Sequence, residues 1–251
     1  MNLVVSLFET AVLVGLQYAP ITIGLAISFR VLNYPDLSCE GTVMLAGAIA
    51  FATLNSGWGI SASFGAALVA GIATGAFTGC LSAFGGVSRL LSGIITTCIC
   101  YAAAIRVMGG CANGRTTAES VFRFWNSSNA VCGNILILFV VVGLLLILCA
   151  LLFRGRSGLL LRAFGDSRVF VEALGCNPRV ITICGLGLSN LVISLGAVLQ
   201  THYKEAFDIN NSFGTLVAGL ASMVLGEVVF ASRSVWQHMI FCVVGTCLYN
   251  V

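Results

Sequence analysis

Charged side chains are the scarcest feature of this sequence, and their shortage sets its class. Only 8% of the 251 residues are charged, whereas about 25% are charged in an ordinary soluble domain. Hydrophobic residues make up 59%. So few ionisable groups cannot cover the surface of a soluble fold of this size, so hydrocarbon is the natural solvent of the chain. The composition therefore predicts a polytopic membrane protein.

Basic clusters of the kind that bind nucleic acid are also missing. Lys204 is the single lysine, and the net charge of +3 is dispersed along the chain. Binding to phosphate backbones needs lysines and arginines grouped on one face or arm. We therefore expect no nucleic acid among the partners.

Motifs for catalysis and for ATP binding are absent from the sequence. It contains no GxxxxGK[ST], HExxH or GxSxG, and its two histidines lie far apart. We expect no catalytic residue, no metal and no cofactor in this chain. A carrier coupled to protons or sodium usually has ionisable residues deep in several helices, whereas the acids here cluster at predicted helix ends. Transport driven by an energy source outside this chain is the first expectation, and an ion-coupled carrier is the alternative.

The eleven cysteines form no CxxC pair, and most fall in apolar runs. In such places cysteine behaves as a small hydrophobic residue. Cys111 and Cys132 differ, because they flank a polar loop and are placed to form a disulfide if that loop faces an oxidising compartment.

Apolar runs of about 17 to 25 residues are long enough to cross a hydrocarbon core about 30 Å thick. The run at 135 to 153 does not alternate as a barrel strand would, so the crossings are predicted to be helices. The sequence predicts an all-α bundle forming a single domain over residues 1–251, with about eight crossings and some broken or re-entrant helices. The runs cover residues 8–31, 42–58, 60–84, 88–108, 131–153, 180–200, 213–231 and 235–251.

Arginine is concentrated between the fifth and sixth runs. Five arginines fall within the 26 residues from 154 to 179. By the positive-inside rule this loop is cytoplasmic, which places loops 109–130 and 201–212 on the far side. The N-terminus then lies outside, unless residues 3–31 break into two half-crossings near Pro20.

The stretch YPDLSCEG, residues 34–41, interrupts the apolar pattern between the first two runs. Proline removes a backbone donor and disfavours helical geometry at the residue before it. We expect a helix to restart with Pro35 at its first position, Asp36 in its first turn and Glu40 one turn later. An interrupted helix at membrane depth is typical of a translocation pathway. Capping at a membrane edge is the alternative.

Other polar residues in or near the apolar runs are further candidates. Glu227 is predicted either to line the pathway or to pair with Arg233. Ser189 and Asn190 are predicted to lie in mid-membrane, where they either join helices by hydrogen bonds or contact the solute. Residues 201–214 are predicted to form a short re-entrant or surface helix near a pore mouth, or a solvated loop.

The arginine-rich loop contains LLLRAFGDSRVFVEALGCNP, residues 159–178, whose pattern predicts one short amphipathic helix with an exposed apolar side. Gly175 and Pro178 would terminate it. Such a helix either lies on the lipid surface or seats in a cytoplasmic partner, and its mixed charge favours the partner.

Several of these motifs, in this order, resemble one known family. FRVLNYPDLSCEGTVMLAGAIA, LLSGIITTCICYAAAIRVMGG and the long segment from LLLRAFGDSRVFVEALG to SMVLGE are similar to ABC transporter permeases of the branched-chain amino acid and ribose importer superfamily, nearest its uncharacterised or tryptophan-type branch. Cys39 departs from the family pattern, which usually has an aliphatic residue there.

The resemblance implies a multi-pass subunit of the bacterial inner membrane, with defined partners. It would pair with a second permease copy, as a homodimer, bind cytoplasmic ABC ATPase subunits that hold ATP and Mg, and receive solute from an extracytoplasmic binding protein. The solute would be a small molecule, first an aromatic or hydrophobic amino acid, with a nucleobase, vitamin or sugar left open.

The resemblance also assigns roles to residues. Those expected to couple to the ATPase lie in the arginine-rich loop: Arg162, Gly165, Asp166, Arg168, Glu172, Ala173, Leu174 and Gly175. Those expected along the translocation pathway are Pro35, Asp36, Glu40, Ser189, Asn190 and Glu227.

Overall fold

A computed structural model of the chain describes residues 2–116, 121–124, 130–229 and 235–250. Eight long helices account for most of it, together with three short helices and one two-stranded ribbon. The helices are α1 (Asn2–Ala26), α2 (Cys39–Asn55), α3 (Ile60–Phe84), α4 (Arg89–Val107), α5 (Val121–Phe124), α6 (Ala130–Arg154), α7 (Arg156–Asp166), α8 (Arg168–Ala173), α9 (Pro178–Lys204), α10 (Thr215–Val229) and α11 (Val235–Tyr249). The strands are β1 (Asn113–Arg115) and β2 (Ala206–Asp208).

The eight predicted runs coincide with the eight long helices, so the prediction of an all-α polytopic bundle is confirmed. Six segments are long and apolar enough to cross a membrane by length and composition, and two apolar helices, Cys39–Asn55 and Gln237–Tyr249, are shorter. A helix of 17 residues rises only about 25 Å, less than the hydrocarbon thickness. Helix α2 is therefore too short to cross this thickness by itself.

The long helices alternate in direction along the chain. Gly24 of α1 lies against Ile193 of α9, while Ile21 lies against Gly196, so these two central helices are antiparallel. The start of α1 therefore lies at the same end of the bundle as the end of α9. α1 continues unbroken through Pro20, so the alternative of two half-crossings is wrong. Because Pro20 has no amide hydrogen, the carbonyl of Leu16, four residues earlier, has no helical donor.

The two ends of the bundle differ in charge and structure. We call one the arginine-rich end, because it carries Arg30, Arg89, Arg154, Arg156, Arg162, Arg168 and Arg179. At the opposite end β1 pairs antiparallel with β2, with Asn113 opposite Asp208 and Arg115 opposite Ala206. We call this the ribbon end. The positive-inside rule predicts that the arginine-rich end faces the cytoplasm.

Small residues let α3 and α9 approach closely. A side chain on Gly75 would overlap the backbone of Leu186, and one on Gly71 would overlap Ser194. Glycine at such contacts favours helix association where packing, rather than water expulsion, is the driving force. Helix α6 is different, because it presents a broad apolar face to the outside through residues such as Phe139, Leu144 and Leu151.

Residues 201–214 form neither the short helix nor the plain loop expected from the sequence. α9 extends to Lys204, then the chain forms β2, a 3₁₀ turn at Asn210–Ser212, and α10. Glu205, with φ of +47°, ends α9 in the left-handed region.

The disulfide considered between Cys111 and Cys132 stays a prediction. Cys111 lies near the ribbon with an exposed free thiol, and the Cys132 side chain lies outside the described residues.

Candidate functional site

The break between α1 and α2 occupies residues 27–38. α1 ends in a π-helical turn at Ile27–Val31, and Asn33 then adopts a left-handed φ of +50°. α2 begins at Cys39, with Ser38 as its N-cap. The expectation that Pro35 opens the helix and Asp36 lies in its first turn is therefore wrong. Both residues precede the helix, because Asp36 folds back onto Ser38 in a local turn instead.

Asp36 is fully buried within this break and accepts three hydrogen bonds. Its Oδ1 accepts from the Ser38 amide at 2.8 Å and from the Ser38 hydroxyl at 2.6 Å. Its Oδ2 accepts from Nδ2 of Asn190 at 2.9 Å. The carboxylate thus joins the irregular segment to the middle of α9. A buried polar group needs such partners, because leaving it unpaired costs about 1–3 kcal/mol.

Asn190 extends this network across three helices. Its Oδ1 accepts from the Thr42 hydroxyl at 2.6 Å, and that hydroxyl lies 2.9 Å from the hydroxyl of Thr74 on α3. The neighbouring Ser189 donates to the carbonyl of Gly24 at 2.8 Å, which links α9 to α1. The structure therefore places Asp36, Ser189 and Asn190 together, and shows that Ser189 and Asn190 each join helices by hydrogen bonds.

The side chain of Glu40, in the first turn of α2, extends to the start of α10. Its Oε1 accepts from the Gly214 amide at 2.9 Å, directly before α10 begins at Thr215. The sequence predicts Glu40 one turn after the restart, either on the pathway or as a cap at the membrane edge. In the structure its carboxylate lies at the N-terminal end of α10, where the helix dipole favours it. This contact connects the two irregular segments that precede α2 and α10.

The predicted single helix over the coupling residues is in fact two helices, α7 and α8, with a break at Ser167. Ser167 has an extended backbone, and its hydroxyl accepts from the Phe170 amide, so it caps α8. α8 ends as predicted at Gly175, whose φ is +79°. The amides of Gly175 and Cys176 donate to the last carbonyls of α8 in a Schellman arrangement.

One side of α7 and α8 is exposed at the arginine-rich end. Val169, Phe170 and Leu174 project outward, and Phe170 is 55% exposed. Beside them, Arg168 and Glu172 form an ion pair at 3.5 Å, one helical turn apart. The other predicted coupling residues at this exposed edge are Asp166, Ala173 and Gly175.

The opposite side of α7 and α8 is packed into the bundle. Phe164 and Val171 are buried in one hydrophobic cluster with Val31 and Tyr34, from the break after α1. A side chain on Gly165 would overlap the Val31 carbonyl, so α7 can approach the end of α1 this closely only with glycine there. Arg162 donates to the Phe153 carbonyl at 2.7 Å, which fixes α7 against α6.

Glu227 lies apart from the Asp36 network. Its Oε1 lies 3.3 Å from Nε of Arg30 and 3.4 Å from Nδ1 of His238. It therefore links the π-helical turn after α1 to α10 and α11. Arg233, the partner considered from the sequence, lies outside the described residues.

A cavity of about 460 Å³ opens at the ribbon end. The ribbon and the end of α9 form its mouth, and it reaches down to Val43 of α2 and Thr215 of α10. Val43 adjoins Thr42, so the cavity ends one residue from the Asp36 network. Within the described residues, no three His, Cys, Asp or Glu side chains are placed to hold a metal ion.

The sequence matches one family over nearly its whole length. A family model described as "Branched-chain amino acid transport system / permease component" matches residues 7–251. The chain belongs to this family. It is an ABC-type transport permease and, with its several apolar helices, a multi-pass protein of the bacterial inner membrane. Membership implies transport and no catalytic activity of its own.

Two relatives of this permease are informative. It is 28% identical, over 228 residues, to a tyrosine transport system permease protein of Clostridioides difficile (strain R20291), covering 91% of this chain and 75% of the relative. It is 24% identical, over 255 residues, to an uncharacterised protein of Rickettsia prowazekii (strain Madrid E), covering 100% of this chain and 88% of the relative. No solved structure shows significant similarity.

The cavity of the permease was not predicted from its sequence. Its walls come from α2, β1, the end of α9, β2 and the start of α10, which are far apart along the chain. The one available signal was the polar composition of 201–214, which suggested a pore mouth but not the pairing with Asn113–Arg115.

Proposed function

We propose that this permease is the membrane subunit of an ATP-driven importer for a small amino acid with an aromatic or hydrophobic side chain. ATP would be hydrolysed by separate cytoplasmic subunits that bind α7 and α8. A second copy of the chain would complete the pathway, and an extracytoplasmic binding protein would deliver the solute. The name of the tyrosine permease relative supports this solute class.

One observation carries the coupling part of the proposal: α7 and α8 have two different sides. The outer side presents Val169, Phe170 and Leu174 with a charged pair beside them, which suits a groove in a soluble partner. The inner side packs on Val31 and Tyr34, directly before Asp36. A force applied to α8 would therefore reach the break between α1 and α2 through α7, whose Gly165 lies against the Val31 carbonyl.

This arrangement supports alternating access driven from outside the chain. Closure of the ATPase subunits would move α7 and α8, and Gly165 would transmit the movement to the Val31 carbonyl. An ion-coupled carrier is the second candidate. It is less favoured because Asp36 is the single buried carboxylate among the described residues, and Asn190 and Ser38 already satisfy it.

The test combines a disruptive variant at α8 with a matched control. We expect Phe170→Asp to abolish co-purification of the co-expressed ATPase subunit and to abolish ATP-dependent uptake in proteoliposomes. Trp58→Asp changes an aromatic residue at the ribbon end that is even more exposed than Phe170, and it should leave ATPase binding intact. Glu172→Arg should weaken binding, since it puts a like charge beside Arg168.

Two outcomes would contradict the proposal. Normal ATPase binding and uptake by the Phe170→Asp variant would remove the coupling role from α8. Uptake by the purified subunit that follows an imposed proton or sodium gradient, with no ATPase present, would favour the carrier.

A further inference from the structure

The cavity at the ribbon end has the size and depth of a small-molecule site. Its volume of about 460 Å³ falls within the range of about 300–1,000 Å³ that such sites span. It reaches from Lys204 at the end of α9 to Thr215, the first residue of α10. Membrane transporters typically bind solute where a helix is interrupted, as the chain is here between its 3₁₀ turn and α10.

Two cations line this cavity and have no charged partner among the residues that the structure describes. Among the ion pairs between described residues, none involves Arg115 of β1 or Lys204 of α9. One acidic side chain, Asp208, also lines the cavity, and its Oδ1 accepts from the amide of Asn210 at 2.9 Å. The walls therefore carry two positive charges and one negative charge, and all three are available to a ligand.

A buried amide adds a specific polar contact. Gln200 lines the cavity, is only 9% exposed, and its Nε2 has no hydrogen-bond partner among the described residues. Buried polar groups are usually paired, and an unpaired one costs about 1–3 kcal/mol. A ligand that bonds this amide would remove that cost. Phe207 and Val43 supply apolar surface in the same cavity.

We infer that this cavity binds a free α-amino acid as a zwitterion, on its way from the ribbon end toward the Asp36 network. Arg115 and Lys204 would hold the carboxylate, Asp208 would attract the ammonium group, and Gln200 would bond one of the two. The side chain of the ligand would lie against Phe207 and Val43. The amino acid class rests on the proposed function, but binding at the cavity is measured without transport.

The binding test uses three probes that differ in one group each. The purified permease in nanodiscs is titrated with L-phenylalanine, with 3-phenylpropanoate, which lacks the ammonium group, and with phenethylamine, which lacks the carboxylate. Saturation-transfer NMR suits the weak affinity expected of a transit site. We expect phenylalanine to bind best, phenylpropanoate more weakly, and phenethylamine at least tenfold more weakly than phenylalanine.

Variants locate the binding at the cavity. Lys204→Met and Arg115→Met should each weaken phenylalanine binding about tenfold, as expected for loss of a hydrogen bond to a charged group. Arg106→Met is the matched control, because Arg106 is exposed near the same end but does not line the cavity, and it should bind normally. Restored binding in Arg115→Lys would show that the charge is what matters.

The outcomes separate this inference from the proposed function. Equal binding of phenylalanine and phenethylamine, no binding of either, or unchanged binding in both methionine variants would overturn the cavity site, whatever the uptake assay shows. Normal cavity binding without ATP-dependent uptake would support the site and contradict the importer.

Discussion

The contact between Asp36 and Asn190 gives the sharpest quantitative prediction. Asn190→Ala removes the amide that donates to Asp36 at 2.9 Å and accepts from Thr42 at 2.6 Å. It also leaves a small hole in a buried site. A double-mutant cycle with Asp36→Ala cancels the hole and isolates the interaction between the two side chains.

The expected size follows from the chemistry of the pair. Hydrogen bonds between helices in membranes average about 0.6 kcal/mol, since the unfolded state in the membrane also finds partners. Bonds to a charged group contribute about 1.5–3 kcal/mol. Because Asp36 is fully buried and all three of its partners donate to it, we expect a coupling energy of about 1.5 kcal/mol or more.

Unfolding in mixed micelles with increasing dodecyl sulfate, followed by circular dichroism, measures each free energy of unfolding. Ser189→Ala is the neighbouring control, because it removes one neutral bond to Gly24 and should cost only about 0.6 kcal/mol. Additive effects of Asp36→Ala and Asn190→Ala, with a coupling energy below about 0.5 kcal/mol, would refute the view that this pair fixes the broken segment.

Three further predictions concern other parts of the bundle. Gly165→Val should sharply reduce the yield of folded protein and uptake, because the valine side chain would overlap the Val31 carbonyl. Gly175→Ala meets no neighbour and should cost only about 1 kcal/mol of left-handed backbone strain. Size-exclusion profiles and thermal unfolding measure both variants, and equal destabilisation by the two would contradict this reasoning. Glu227→Gln should lower the thermal unfolding temperature more at low than at high salt, since it removes the charge that pairs with Arg30, and a salt-independent loss would contradict that cause. Cys111, exposed near the ribbon, should react in intact cells with a membrane-impermeant maleimide; protection of this thiol until the cells are lysed would reverse the predicted orientation.

Local sequence patterns predicted the parts of this structure that local forces decide. The eight apolar runs became the eight long helices because hydrocarbon requires every backbone group to be paired within the segment. Gly175 was identified as a helix terminator because glycine adopts the left-handed conformation at little cost, and its φ of +79° agrees. Asn190 lies in the middle of an apolar run, where a side-chain amide needs a partner.

Long-range contacts explain what the sequence did not predict. Glu40 and Gly214 are 174 residues apart, so nothing near Glu40 indicated that it would bond outside α2. The ribbon strands are three residues each, too short for a recognisable pattern in the sequence, so their pairing depends on where α4 and α9 end. The break at Ser167 arises because its hydroxyl caps α8, which competes with the helical pattern of the residues around it.

The fit of Gly165 against the Val31 carbonyl has a mechanical consequence. Packed protein interiors compress very little, so a contact without spare space transmits a displacement and does not absorb it. A displacement of α7 toward the bundle would therefore be passed to the end of α1 with little loss, and a displacement of the α1 end toward α7 would push on whatever holds α7.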